Sequence, residues 1–374
     1  MISGAEIAAA FEREEPMTIG AEEELMLLDP VDHDLAPEAV RVLELLEGDA
    51  RFKPELPASQ IESLTTPAAT VRELAAQLAA SRRTLAAAVD GVVDLAAAGV
   101  HPTAEPEGEI NPGPRYEALA RRYGRSIVSR QLVCALQLHV APGSAESALA
   151  VYNALRSYLP AIAAVAANAP FLAGADTGLA SVRPRIAQLL PRQGVPPAFS
   201  SWDEFAAALE WGVAGEVIGD RASWWWELRP HFGFGTLELR VPDAQTTVAD
   251  AGAIAAFAQC LVAWLADGYR ERGALPVHPS WRIAENRWLA ARGGVDADLA
   301  DLDTGHPCPL RARLDALLEE LAPVAERLDC STELRHLRSL VDRNGAIRQR
   351  EVAAERGLDG LVGWLCGEFL ASTA

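Results

Sequence analysis

At 374 residues, half of them apolar, the chain is long enough to bury a sizeable core. Its 52 acidic against 33 basic residues leave a formal charge of -19, which repels polyanions, argues against nucleic acid as a partner and suits divalent cations. Five scattered cysteines without a CxxC pair read as a reduced, cytoplasmic protein.

No Gly/Ser-rich or Pro-rich linker divides the composition, so residues 1–374 read as a single catalytic-size domain with helical insertions. The N-terminus lacks the basic and apolar regions of a signal peptide. The most apolar stretches are interrupted or too short, and are expected as buried helices, not membrane spans.

In chain order, "MTIGAEEELMLL" (17–28) reads as a first strand and "SQIESLT" (59–65) as a second. Thr66 followed by Pro67 reads as an N-cap opening a helix that stops at Gly99. A helix over 114–123 precedes the strand "SRQLVCALQLHVA" (129–141). Helices over 145–167 and 203–211 lead to the strands "SWWWELRP" (223–230) and "GTLELRVPD" (235–243). Helices over 248–269, 311–328 and 331–341 follow, and the last forty residues also read as helical. Single helices do not regularly link the strands, so the pattern is α+β, an antiparallel or mixed sheet with helices on one side.

The first strand carries three consecutive glutamates, a costly arrangement in an ordinary sheet. Strand alternation puts Glu22 and Glu24 on one face and Glu23 on the other. The same spacing pairs Gln60 with Glu62, Gln137 with His139, Glu227 with Arg229 and Glu238 with Arg240. One face is then apolar, and the other carries acids, an imidazole and arginines. Crowded buried acids take up protons unless a hard cation such as Mg²⁺ or Mn²⁺ keeps them ionised, and adjacent arginines suit phosphate or carboxylate. A single Glu-x-Glu is usually a solvated face; His139 alone reads as an ordinary hydrogen-bonded histidine and Trp224–Trp226 as packing. The weight lies in the repetition across strands.

Common nucleotide and hydrolase motifs fail. The sole lysine, Lys53, precedes Pro54 and cannot complete a Walker A loop; HExxH and GxSxG are absent, and "GFGTLE" lacks a dinucleotide fingerprint.

"TIGAEEELMLLDP" resembles the N-terminal strand of the bacterial type 2 glutamate-cysteine ligase family, ATP-dependent carboxylate-amine ligases of the glutamine-synthetase-like superfamily. The resemblance continues in order through "LPASQIESLTTP", "GVHPTA", "RYEALARRYG", "RQLVCALQLHVAPG", "AANAPFLAGADTGLASVRP", "WWWELRPHFGFGTLELRVPDAQTT", "ENRWLAARGG" and "NGAIRQRE". It implies a curved, mainly antiparallel sheet forming a funnel that binds ATP with two or three Mg²⁺ ions, and activation of a carboxylate as an acyl phosphate. Carried over by position, the metal ligands are Glu22, Glu24, Glu62, His139 and Glu238, with Glu55 a further candidate. Arg229 and Arg240, with Asp176, Thr177 and Arg183 of "GADTGLASVRP", hold substrate or phosphate; Arg348 and Arg350 close over the nucleotide or lie on a helical surface. Glu55 and Asp176 are the candidate bases.

One departure is Gln137, where the family commonly places a second histidine; a neutral amide is a weaker ligand. The expected partners are small molecules, an amino-acid carboxylate, an amine and ATP, with a homo-oligomer such as a dimer as the assembly. Two other classes stay open: a nucleotide- and metal-binding protein without turnover, and a metal-dependent phosphohydrolase. Glutamine at position 22 or 238 is expected to abolish turnover and spare the fold, since it relieves charge repulsion.

Overall fold

A computed structural model describes residues 2–12, 17–219 and 224–371. Its centre is a seven-stranded sheet: β1 (Ile19–Leu28), β2 (Phe52–Pro54), β3 (Gln60–Leu64), β4 (Asp94–Ala96), β5 (Leu136–Val140), β6 (Leu228–His231) and β7 (Thr236–Leu239). The order is β2-β3-β1-β5-β7-β6, and every pairing is antiparallel. β1 is long enough to serve three neighbours: β3 along one edge, β5 and then β4 along the other. The α+β expectation therefore holds.

The apolar face follows from period-two alternation. Leu136, Leu138 and Val140 of β5 join Leu237 and Leu239 of β7 in one buried cluster with Ile254, Phe257 and Leu261 of the helix Val248–Arg272. That helix is apolar nearly all round, as a central helix must be. Among the described residues, two helical stretches are long and apolar enough to cross a membrane, Ala145–Val165 and Val248–Arg272, and they are 72% and 83% buried within the protein.

The structure corrects several boundaries. Ala68 is still extended, bridging to Ile19, so the helix opens at Val71 with Thr70, not Thr66, accepting from the Glu73 N–H. It ends at Ala88; past the left-handed Gly91, residues Asp94–Ala96 instead pair with β1 and bury Leu95 beside Leu25, Leu27 and Ile61. The helix expected over 145–167 breaks at Arg156–Tyr158, just before Pro160, which has no N–H to donate. In "SWWWELRP" the strand begins only at Leu228, and Ser223 lies outside the described residues.

Helices are not confined to one face. The helix Gly345–Glu368 packs Val352, Leu361, Val362 and Leu365 on Met26 and Leu28, which alternate onto the same side as Glu22 and Glu24. The polar face is thus closed at one end of β1 and open at the other.

Candidate active site

Register places the polar side chains in rows. Lys53 of β2 lies opposite Glu62 of β3, and Glu62 opposite Glu24 of β1. Glu22 lies opposite Gln137 of β5. His139 lies opposite Glu238 of β7, which lies opposite Arg229 of β6. Directly opposed side chains stand about 5 Å apart at Cβ, so six strands deliver one contiguous patch. The patch, apart from His139 and Glu238, which lie beneath its lining, floors a cavity of ≈ 940 Å³, walled by the helices Pro114–Tyr123 and Arg183–Ala187. That lies near the top of the usual ligand-pocket range of about 300–1,000 Å³.

Glu23 resolves the run of three acids. It faces away, fully buried, and binds Arg82 through Nη2 at 2.5 Å and Nε at 3.1 Å. The polar-face acids are balanced differently. One carboxylate oxygen each of Glu24, Glu55 and Glu62 lie within 4.8 Å of one another. Lys53 Nζ is 2.8 Å from Glu62 and 3.9 Å from Glu22, so this lysine already supplies a cation between two acids. Burial, followed by the charges of Glu55 and Glu22, pushes Glu62 well above the usual carboxylate range. Burial would also raise Glu22, but His139, Glu62 and Lys53 outweigh it and hold that carboxyl well down. In the metal-free fold charge is therefore favoured on Glu22 and disfavoured on Glu62.

Glu238 is of another kind. Burial opposes its charge, yet Arg240 and Arg229 win and pull its pKa down to about 2. Arg240 Nη1 reaches Glu238 Oε1 at 2.5 Å, and Arg229 donates to Oε2.

The donor set fits a hard divalent ion. His139 Nδ1 is held by the Thr236 hydroxyl at 2.9 Å, while the buried Nε2 has no hydrogen-bond partner and lies 3.6 Å from a Glu22 oxygen. An imidazole fixed through one nitrogen with the other left over beside carboxylates is how a metal ligand is prepared. Oxygen donors with one imidazole suit Mg²⁺ or Mn²⁺. Gln137 serves differently: its amide nitrogen donates to Glu24 at 2.9 Å and its oxygen accepts from Arg240, so the one atom able to ligate is occupied.

Other expected residues separate. Arg183 lines the cavity, but its Nε donates to Asp243 at 2.7 Å and its Nη2 to the Val241 and Pro242 carbonyls at 2.6 and 3.0 Å. Its guanidinium therefore ties chain segments together instead of waiting for an anion. Asp176 binds Arg350 through both oxygens at 2.7 and 2.8 Å, and the Thr177 hydroxyl donates to the Pro170 carbonyl. Arg348 binds the buried Asp250 at 2.6 Å. None of these four lines the cavity, and each is bound to another partner. Glu227, expected to share a role with Arg229, is taken by Arg287 at 2.9 and 3.0 Å.

Sequence reasoning passed over Lys53 as a site residue. It also treated 114–123 only as a helix, whereas Arg115, Tyr116, Leu119, Arg122 and Tyr123 turn toward the cavity. Their three-and-four spacing, with arginine and tyrosine where a core helix would carry leucine, is the signal that was available. Trp225 and Phe234 add aromatic surface, and Phe234 stacks on His231 at 4.3 Å.

The acids make stability depend on pH when metal is withheld. Burial first, and then the charge of Glu55, push Glu24 up from 4.5 to about 7. The folded state then holds this proton more tightly than the unfolded chain, so its stabilisation is complete below about pH 4.5 and is lost as pH rises through 7. The size is on the order of 3 kcal/mol. Urea unfolding in EDTA across this window should show the decline, and Glu24→Gln should flatten it. A wild-type profile already flat would remove the argument.

Comparison with known proteins extends the picture. The sequence model described as "Glutamate-cysteine ligase family 2" matches residues 18–363. A Rubrobacter xylanophilus protein provisionally named glutamate–cysteine ligase 2-3 is 37% identical over 348 residues, covering 91% of this chain and 94% of its own. A Frankia alni protein provisionally named glutamate–cysteine ligase 2-1 is 36% identical over 355 residues, with 92% and 91% covered. Among solved structures, a glutamate–cysteine ligase from Francisella tularensis in complex with AMP superposes with a TM-score of 0.68 at 12% identity, over 96% of this chain and 90% of that one. A bifunctional glutathione synthetase from Pasteurella multocida gives 0.68 at 14% identity, over 98% of this chain and 53% of that one. At these identities the superpositions show a shared fold.

Proposed function

Since the chain belongs to glutamate-cysteine ligase family 2, we propose that it is an ATP- and Mg²⁺-dependent carboxylate-amine ligase working through an acyl phosphate, joining the γ-carboxylate of glutamate to cysteine or another amine. The observation that carries this reading is the convergence of Glu22, Glu24, Glu55 and Glu62 with Arg229 and Arg240 on one cavity floor. Acids that hold cations beside arginines that hold anions are what phosphoryl transfer to a carboxylate requires.

Glu22, Glu24, Glu62 and His139 would hold the ions, with Glu55 beside them, and bound Mg²⁺ would keep these acids charged and offset charge on the nucleotide. Arg240 and Arg229, locked by Glu238, present fixed positive charge, so little reorganisation is needed when the carboxylate accepts the γ-phosphoryl group. Tyr116, Tyr123 and Trp225 offer flat surface for a purine. The amine then attacks the acyl carbon, phosphate leaves, and the ammonium proton passes to a base. Of the two candidates, Asp176 is held by Arg350 outside the cavity, and Glu55 lines it.

The test is ADP release with Mg²⁺ and glutamate across a panel of amines. ADP and amide that both depend on the amine would support ligation. Amine-independent phosphate would replace the reading with hydrolysis, and nucleotide binding without either product would replace it with a binding protein.

A further inference from the structure

A second group of ligating side chains lies outside the acidic cavity. His33 stands in the turn that follows β1, Asp94 opens β4 opposite Leu28, and Cys366 belongs to the helix Gly345–Glu368. Three segments distant in sequence thus bring an imidazole, a carboxylate and a thiol together. His33 Nε2 is 3.2 Å from Asp94 Oδ2, and one ligating atom from each of the three residues lies within 4.8 Å of the others. All three are partly exposed, so an ion can reach them from solvent.

The orientation of His33 is imposed. Its backbone is left-handed, φ 59°, with its N–H donating to the Asp29 carbonyl at 2.9 Å. Its carbonyl accepts from Nε2 of the buried His101 at 2.9 Å, while His101 Nδ1 accepts from the Ala104 N–H at 3.0 Å. Two neighbours therefore hold the backbone that aims the imidazole at Asp94. Gly363, one turn before Cys366, lies beside the ring, where a Cβ would stand 3.8 Å from His33 Cε1, an ordinary contact.

The donor types select the ion. Zinc bonds of about 2.0–2.3 Å to nitrogen, oxygen and sulfur put tetrahedral ligands about 3.3–3.8 Å apart. The His33–Asp94 pair is already at that separation, and the thiol needs at most about 1 Å of approach. Thiolate with imidazole favours a borderline-soft ion, unlike the oxygen-rich cavity suited to magnesium.

We propose that His33, Asp94 and Cys366 form a zinc site with water at the fourth position, pinning the end of the last helix to the β1–β4 edge. On binding, the Cys366 thiol gives its proton to solvent and its sulfur takes up the metal. The pinned segment follows Gly357, whose left-handed φ of 73° interrupts the helix and makes residues 358–368 a separate rigid piece. The site fastens that piece independently of whatever the cavity binds.

Cobalt(II) distinguishes the two sites, because only a cysteine ligand gives a near-ultraviolet sulfur-to-cobalt charge-transfer band. EDTA-stripped full-length protein titrated with Co²⁺ should develop this band, and Zn²⁺ should displace it. Cys366→Ser should abolish it. His33→Asn, which tolerates the left-handed backbone, should weaken Zn²⁺ binding by more than the ~10- to 100-fold typical of losing an outer-shell partner. Zn²⁺ should also raise Tm in the wild type and not in Cys366→Ser. No sulfur band in wild type, or a band that survives Cys366→Ser, overturns the proposal. Neither result touches the ligase reading, whose oxygen and imidazole donors give no such band.

Discussion

Glu62→Gln is expected to cut Mg²⁺-dependent ADP release by about 100-fold or more, while the metal-free protein melts at the same temperature or higher. Burial, and then the charges of Glu55 and Glu22, push the Glu62 carboxyl well above the usual range, so an amide of the same shape removes a charge that the metal-free site disfavours. Lys53 loses a partner but remains half-exposed and within reach of Glu22. Glu238→Gln should behave differently, contrary to the expectation from alternation alone. It removes a carboxylate from between Arg229 and Arg240, and an uncompensated buried charge costs about 3–5 kcal/mol. A coupled ADP assay and thermal melts of both variants separate the two cases. Wild-type turnover in Glu62→Gln would remove Glu62 from the metal site, and a collapsed melt would make it structural.

Arg82→Leu should be the most destabilising single change on the apolar side of the sheet, by about 3–5 kcal/mol. Arg82 and Glu23 are both fully buried, and the guanidinium uses all five of its donors: two on Glu23, and one each on the carbonyls of Gln245, Thr246 and Phe369. Leucine would leave the Glu23 charge without a partner and three carbonyls unsatisfied. Adding Glu23→Gln should recover part of the loss, since the stranded charge goes with it. Urea unfolding of the single and double variants measures both quantities. A double variant no better than Arg82→Leu would assign the penalty to the carbonyls alone.

The sheet was legible because its signal is local. In β1, β3, β5 and β7 a side chain two residues on shares a face, so Glu22, Glu24, Glu62, His139 and Glu238 could be grouped before any fold was known. Glu227 shows the limit: it precedes β6, where alternation no longer applies, and a helix supplies Arg287 instead. β2 and β4, three residues each, are too short to carry a period. The sites of Arg348, Arg350 and Asp176 were illegible for another reason. Long charged side chains go to whichever opposite charge the tertiary fold brings near, and nothing in "IRQR" or "GADTG" names Asp250 or each other. Lys53 was equally hidden, since a lysine on a strand ordinarily faces water.

The Arg82 junction also bears on how the polypeptide is made. Glu23 precedes its counterion by some sixty positions, and the carbonyl of Phe369 follows that arginine by nearly 290 more. A nascent chain must therefore carry this acid through the synthesis of some 350 further residues without the complete set of contacts that finally surrounds it, and full protease resistance should appear only once residue 369 is free to join the fold.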